Sequence, residues 1–189
     1  MAFKTDLNEY IEDISLGRFQ DKLPDANRQN RFMVDFSQLV GKFEDIVSSA
    51  DLNDIRFHVT ASPIPGRSVG TVNASWYGMS TTYAGNHEPQ TWTTTFISDI
   101  DYKAEKFIDG WLNKIQNLST NTKGTPNQYK NGCEILVHQL NGAGIITSQT
   151  RLMNIYPTAK SERSASVESA EFQTYTVTWS FDYPLNNFE

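Results

Sequence analysis

Phe172-Gln173-Thr174-Tyr175-Thr176-Val177-Thr178-Trp179-Ser180-Phe181-Asp182-Tyr183 is the stretch on which the fold turns. Tyr175, Val177, Trp179, Phe181 and Tyr183 alternate strictly with Thr174, Thr176, Thr178, Ser180 and Asp182. Side chains on a β-strand point to opposite faces in turn, so this period of two predicts one packed aromatic face and one wet, hydroxyl-bearing face. A protein that closes on such a strand builds surfaces, and no reactive constellation elsewhere in the chain competes with that reading.

Working outward, similar alternation recurs. Phe32, Val34 and Phe36 carry it first, and Ile55, Phe57, Val59 and Ala61 predict a second strand. That strand stops at Ser62-Pro63-Ile64-Pro65-Gly66, because proline donates nothing to a ladder and restricts the residue before it. Residues 41–53 read as an irregular loop with one helical turn at most. Between Arg67 and Gly85 the pattern is weak: Val72, Ala74 and Trp76 alternate with small polar residues, but Gly66, Gly70, Gly78 and Gly85 interrupt it. This predicts a protruding loop or edge ribbon rather than a core strand.

Trp92, Thr94 and Phe96 then oppose Thr91, Thr93 and Thr95 in a further strand. Ser98-Asp99-Ile100-Asp101 supplies capping chemistry for a helix over about 101–118, whose apolar face is Ala104, Phe107, Ile108, Trp111, Ile115 and Leu118. Residues 119–132 read as a loop. Strands at about 133–140 and 145–155 follow, joined by a turn at Asn141-Gly142-Ala143-Gly144. At the N-terminus, Asp6-x-x-Glu9 is a capping box for a short helix carrying Leu7, Tyr10, Ile11 and Ile14. The expectation is a mainly β single domain over 1–189. It has an N-terminal helix and extension (1–30) and a core (31–184) built as a small β-barrel or sandwich of two packed antiparallel sheets with one flanking α-helix.

Composition narrows the function. The 189 residues carry a net charge of −6, which argues against binding phosphate backbones, since that needs several clustered Lys or Arg. Residues 1–54 hold six basic and eleven acidic groups, so most of the excess lies there, and a solvated acidic face explains it. No apolar run approaches the roughly 18–20 residues of a bilayer span, so no membrane insertion is expected. The first residues lack the apolar core of a signal peptide, which points to synthesis and assembly in a cytoplasm. Cys133 is the single cysteine; it reads as a small buried hydrophobe, excluding an internal disulfide and a thiolate metal cage. His58, His87 and His138 are far apart and match no metal-ligand spacing. Asp99 and Asp101 read as helix caps rather than an acid–base pair. The glycines match no phosphate-binding loop. Neither a catalytic residue nor a cofactor is expected.

The chain resembles the major tail tube protein family of contractile-tailed bacteriophages, whose fold is shared with tubes of R-type bacteriocins and type VI secretion systems. The resemblance runs over about residues 30–184 and rests on pieces in a fixed order: Ala61-Ser62-Pro63-Ile64-Pro65-Gly66, Ala84-Gly85 before Thr91-Trp92-Thr93-Thr94-Thr95-Phe96, Lys106-Phe107-Ile108-Asp109-Gly110-Trp111, Ile155-Tyr156-Pro157-Thr158, and the closing strand. The chain departs from the family in having Asn86-His87-Glu88-Pro89 where a basic residue is usual, and Tyr156 where tryptophan is commoner. The resemblance implies a non-enzymatic virion component forming homohexameric rings that stack into a tube. Its partners would be sheath, baseplate and tail-terminator proteins, and DNA would pass through the lumen without tight binding. A baseplate tube initiator and the tube of a phage-derived contractile injection system are variants of that reading.

Within it, Pro63, Ile64, Pro65, Gly66, Trp76, Tyr77 and Tyr83 are expected at inter-subunit or ring-stacking contacts, with Leu7, Tyr10 and Ile11 of the N-terminal helix and the capping region near Ser98–Asp101. A carbohydrate-binding β-sandwich is the alternative of another class, prompted by Trp76, Trp92, Trp111 and Trp179. Trp111 and Trp179 fall on packed faces by periodicity, whereas Trp76 is the one expected to protrude.

Overall fold

The computed structural model describes residues 27–163 and 171–188; the expected N-terminal helix with Leu7, Tyr10 and Ile11 lies outside them. Two four-stranded antiparallel sheets make the body. In the first, β1 (Phe32–Asp35), β8 (Glu134–Leu140), β9 (Ile146–Met153) and β12 (Tyr183–Phe188) lie in that order. The second runs β10 (Tyr156–Lys160), β11 (Thr174–Phe181), β5 (Gln90–Ile97) and β2 (Val59–Ala61). The sandwich expectation holds; neither sheet closes on itself, so there is no barrel among the described residues.

The opening stretch behaves as its period requires. Tyr175, Val177, Trp179 and Phe181 are buried while Thr174, Thr176, Thr178 and Ser180 face outward. β11 is central, pairing with β10 on one side and along its full length with β5 on the other, Thr174 opposite Ile97 and Phe181 opposite Gln90. Thr94 is the polar exception on the packed face. It is buried because its hydroxyl oxygen accepts the indole N–H of Trp179 at 2.8 Å, which satisfies two groups that would each be costly to leave unpaired. The strand does not run on through Tyr183, as the alternation implied. The chain turns at Asp182, whose N–H bonds to Met153 O, and enters the other sheet as β12 beside β9.

The amphipathic helix α2 (Lys103–Ile115) ends earlier than expected, leaving Leu118 81% exposed. Phe107 and Trp111 pack on Phe43, with Trp111 4.5 Å from Phe43 and 5.5 Å from Trp179 between ring centroids. Trp111 donates its indole N–H to Tyr129 O. Asp99 serves this helix as foreseen, its Oδ1 accepting the N–H of Lys103 at 3.1 Å.

Two expectations fail around residue 50. The loop at 41–53 is a core element: Phe43, Val47 and Leu52 are buried, and α1 (Ser49–Ile55) begins with the Ser48 hydroxyl accepting Asp51 N–H. The strand expected from Ile55 starts only at Val59. Leu52 and Ile55 share a helical face three residues apart, and Phe57, taken for an inward residue, is 73% exposed in a 3₁₀ turn. Alternation over so few positions also fits the end of a helix. The supposed loop at 119–132 holds a two-strand pair, β6 (Gln116–Asn117) with β7 (Thr122–Lys123), and a short helix α3 (Pro126–Tyr129) with a capping box from Thr125 and Gln128.

Candidate assembly surface

The segment after Gly66 is a two-stranded ribbon. β3 (Val69–Trp76) pairs with β4 (Met79–His87) from Val69 opposite His87 to Trp76 opposite Met79, and joins neither body sheet. At about 3.3 Å per residue its strands are some 26–30 Å long. Gly70 and Gly85 meet at its base so closely that a Cβ on Gly85 would lie 3.0 Å from the Gly70 carbonyl carbon, which explains the interrupting glycines. At the tip Tyr77 and Gly78 both have positive φ, 48° and 80°, as a two-residue turn matched to strand twist needs. A bulky residue in this region is strained by about 1–2 kcal/mol, and Tyr77 gains little within the protomer: it is 92% exposed, with the Trp76 ring 5.2 Å away.

From Ser68 to His87 there is no Asp, Glu, Lys or Arg. Val69, Val72, Trp76, Tyr77, Met79 and Tyr83 are all exposed. Isolated two-stranded ribbons are marginal in water, and a contiguous exposed apolar surface marks an interaction site. The ribbon is tied down at its root, where the two ring nitrogens of His87 lie 3.1 Å from Ser68 O and 2.7 Å from Asp182 O. Burial alone would raise the Asp182 carboxyl, but hydrogen bonds from Lys130 at 2.7 Å and Asn154 at 2.9 Å hold it below the ordinary carboxylate range.

Of the other expected contact residues, Pro63–Gly66 sit by the start of β5, Ser98–Asp101 follow its far end, and Leu7, Tyr10 and Ile11 lie outside the described residues. Pro65 is buried, Pro63 and Gly66 are exposed and Ile64 is half exposed. Pro63 O accepts the indole N–H of Trp92 at 2.8 Å, so the Pro-Ile-Pro segment is pinned beside β5, where β2 covers only the end of that strand. Prolines beside an open sheet edge blunt it against unwanted pairing.

Sequence reading did not anticipate that Phe57, Ile100, Tyr102 and Phe172 are exposed; they are far apart in the chain, and no periodicity links them.

Among the described residues no group of three or more His, Cys, Asp or Glu could hold a metal. Glu105, nearly buried, accepts hydrogen bonds from the Ser98 hydroxyl at 2.6 Å and Arg163 at 3.0 Å, and this ion-paired cluster ties α2 to the sheet. Burial pushes the Cys133 thiol up, and its sulfur faces Tyr129 O. His138 is buried with burial lowering it below the usual histidine value. A cleft of about 670 Å³ is lined by Lys42, Asp45, Lys114, Lys123 and Gln128, with Lys114 paired to Asp45 at 2.7 Å. Trp92, Trp111 and Trp179 are buried, so they offer no platform for sugars, and Trp76 alone protrudes.

The two wet faces differ. Across β5 and β11 the outward pairs are Thr95–Thr176, Thr93–Thr178 and Thr91–Ser180, without a charge. In the first sheet Asp35, Leu136, Arg151 and Leu185 share one row, in which Leu136 is buried while Arg151 and Leu185 are exposed, with Glu134 3.6 Å from Arg151.

The described residues thus make a two-sheet sandwich with helices packed on it and a ribbon outside both sheets. The family model of phage tail tube proteins matches residues 27–185, and the chain belongs to that family; it is a structural tail-tube subunit. Among solved structures it is similar to the tube-terminating cap of the anti-feeding prophage, with 17% identity, a TM-score of 0.65 and full coverage of both chains. A sheath-tube complex of an extracellular contractile injection system in its extended state holds another similar chain. It is 15% identical with a TM-score of 0.63, over 93% of this chain and 100% of that one. The sheath/tube terminator of such a system gives 16% identity and a TM-score of 0.58 over 87% and 99%. At these identities the likeness is one of fold. No curated protein matches the chain significantly.

Proposed function

We propose that the chain is a single non-enzymatic domain that forms homohexameric rings, and that the rings stack into the tube of a contractile tail. The observation that carries this is the ribbon: it is tied to its own protomer at its root by His87, while Trp76, Tyr77, Met79 and Tyr83 stand exposed, and a neighbouring copy would cover them. Trp76, Tyr77 and Tyr83 are then ring-stacking contacts, with Pro63, Ile64, Pro65 and Gly66 fixing the angle at which the ribbon leaves the body. Leu7, Tyr10 and Ile11 are proposed as further subunit contacts. Sheath, baseplate and terminator proteins are the partners, the virion is the location, and the host cytoplasm is where assembly takes place.

The hydroxyl face of β5 and β11 is our choice for the channel wall. Its groups hydrogen-bond to water and carry no charge, and the acidic balance of the whole chain disfavours phosphate contacts. Duplex DNA would pass without sticking. The similarity to contractile injection system tubes favours, as a second reading, a particle that carries a different cargo through the same kind of channel.

Electron microscopy of the purified chain tests the assignment. Sixfold rings and long filaments are expected; a protein that stays monomeric at high concentration overturns it. Deleting residues 67–84 should leave a folded, soluble protomer that no longer polymerises. Retention of duplex DNA by assembled tubes at low salt would rule out the proposed lining.

A further inference from the structure

His87 closes the base of the ribbon with both of its ring nitrogens. Nδ1 lies 3.1 Å from Ser68 O, just before β3, and Nε2 lies 2.7 Å from Asp182 O, in the turn where the chain crosses between the body sheets. Both partners are backbone carbonyl oxygens, which only accept. A neutral imidazole has one N–H and one lone pair, so it satisfies one carbonyl and turns its lone pair on the other, whereas the imidazolium donates to both. A separation of 2.7 Å is in the range of a charge-assisted bond. Neither acceptor is free to swing away. Asp182 N–H bonds to Met153 O at 3.0 Å, and its carboxylate is held by Lys130 at 2.7 Å and Asn154 at 2.9 Å. Ser68 is next to Val69, which pairs with His87 across the ribbon.

We propose that His87 is a proton-operated latch at the ribbon root: the doubly protonated ring ties the ribbon to the body, and loss of one proton breaks one of its two ties. The sign follows from the donor count. The latch is closed in acid and opens as the pH rises. The charged groups around the ring are the Asp182 carboxylate and Lys130 on the body side, Glu88 directly after β4 and Arg67 directly before Ser68. Lys130 pairs with Asp182, and Glu88 and Arg67 are of opposite sign, so these charges balance. Because β3 and β4 join neither body sheet, the His87 bridge bears on the direction in which the ribbon leaves the sandwich. A tilt at the root is carried along the strands to Trp76 and Tyr77 at the far end, where both are exposed. The body responds to pH in the opposite direction, since burial disfavours the charged form of His138 and the sandwich gains stability as pH rises.

The test uses the full chain as a dilute protomer and does not depend on rings or tubes. NMR of the ring nitrogens should show His87 with two protons in mildly acid solution and one in mildly alkaline solution. Amide protection in β3 and β4 beside His87, corrected for the intrinsic pH dependence of exchange, should fall about tenfold as that proton leaves, the effect of losing one charge-assisted bond. Protection in β5 and β11 should hold or rise over the same range. His87→Gln cannot donate from two separate atoms, so its ribbon should exchange at the faster rate at every pH. His87→Arg has several donors and no proton to lose there, so its ribbon should stay protected in alkali. A ring that carries one proton while the ribbon is fully protected overturns the latch, as does ribbon protection that ignores the titration of the ring. The parental pH dependence persisting in either variant also overturns it. Should a variant fail to fold, the ring shifts and amide exchange of the parent decide the matter alone.

Discussion

Replacing Thr94 with valine changes one oxygen in the centre of the sandwich. Valine keeps the shape, so packing is preserved, but the Trp179 indole N–H loses the acceptor it holds at 2.8 Å and has no water to turn to. Leaving a buried donor unpaired costs about 1–3 kcal/mol, and the extra methyl offsets up to about 0.8 kcal/mol of that. Taking the middle of that range, about 2 kcal/mol, a net loss of about 1–2 kcal/mol remains, which for a chain of this size lowers Tm by roughly 2–8 °C. Urea titration in dilute solution, followed by far-ultraviolet circular dichroism, measures the loss directly. Trp179→Phe removes the donor, at its own cost in cavity volume, so Thr94→Val should cost little in that background. The cycle should return a coupling of about 1–2 kcal/mol. A Thr94→Val protein as stable as the parent, or a coupling near zero, would refute the claim that this pair satisfies itself in a dry core.

Acid should act in two steps. His138 is lowered by burial, so the unfolded chain takes up its proton first and stability falls as pH drops below about 6.5, the free histidine value; His138→Gln should flatten that part of a urea-midpoint profile. Asp182 is held low by Lys130 and Asn154, so its contribution is present above about pH 4 and is lost below it; Asp182→Asn should erase the second step, modestly because the pair is partly in water. Tyr77→Asn relieves the positive-φ strain and should leave protomer melting equal to or slightly above the parent, by up to about 1 kcal/mol, while filament growth slows; faster growth would count against Tyr77 as a contact.

How much could be read in advance depended on the length of each pattern. Over β5, α2 and β11 the hydrophobic period extends for two or more turns or pleats, and the buried sets followed the spacing, with Trp111 and Trp179 in the core, except at the ends, where Leu118 and Tyr183 are exposed. Ile55, Phe57 and Val59 gave a false strand because three alternating positions also fit a helix running into a 3₁₀ turn. Phe43 was passed over because its neighbours are charged, although Phe107 and Trp111 close over it. The glycine spacing marked 67–85 as a protrusion, but only cross-strand register shows it to be one uncharged ribbon with a two-residue turn at its tip.

Sequence alone determined the mainly β sandwich, the long helix α2, the wet hydroxyl face and the family, because these follow from side-chain period and from the order of short motifs along the chain. Tertiary structure decided that the sheets stay open, that the chain crosses between them at Asp182, and that Phe32 lies opposite Gln139 in one of them. Periodicity reports on neighbours a few residues apart, whereas juxtapositions across more than a hundred residues are set by how the sheets pack, and no local pattern encodes them.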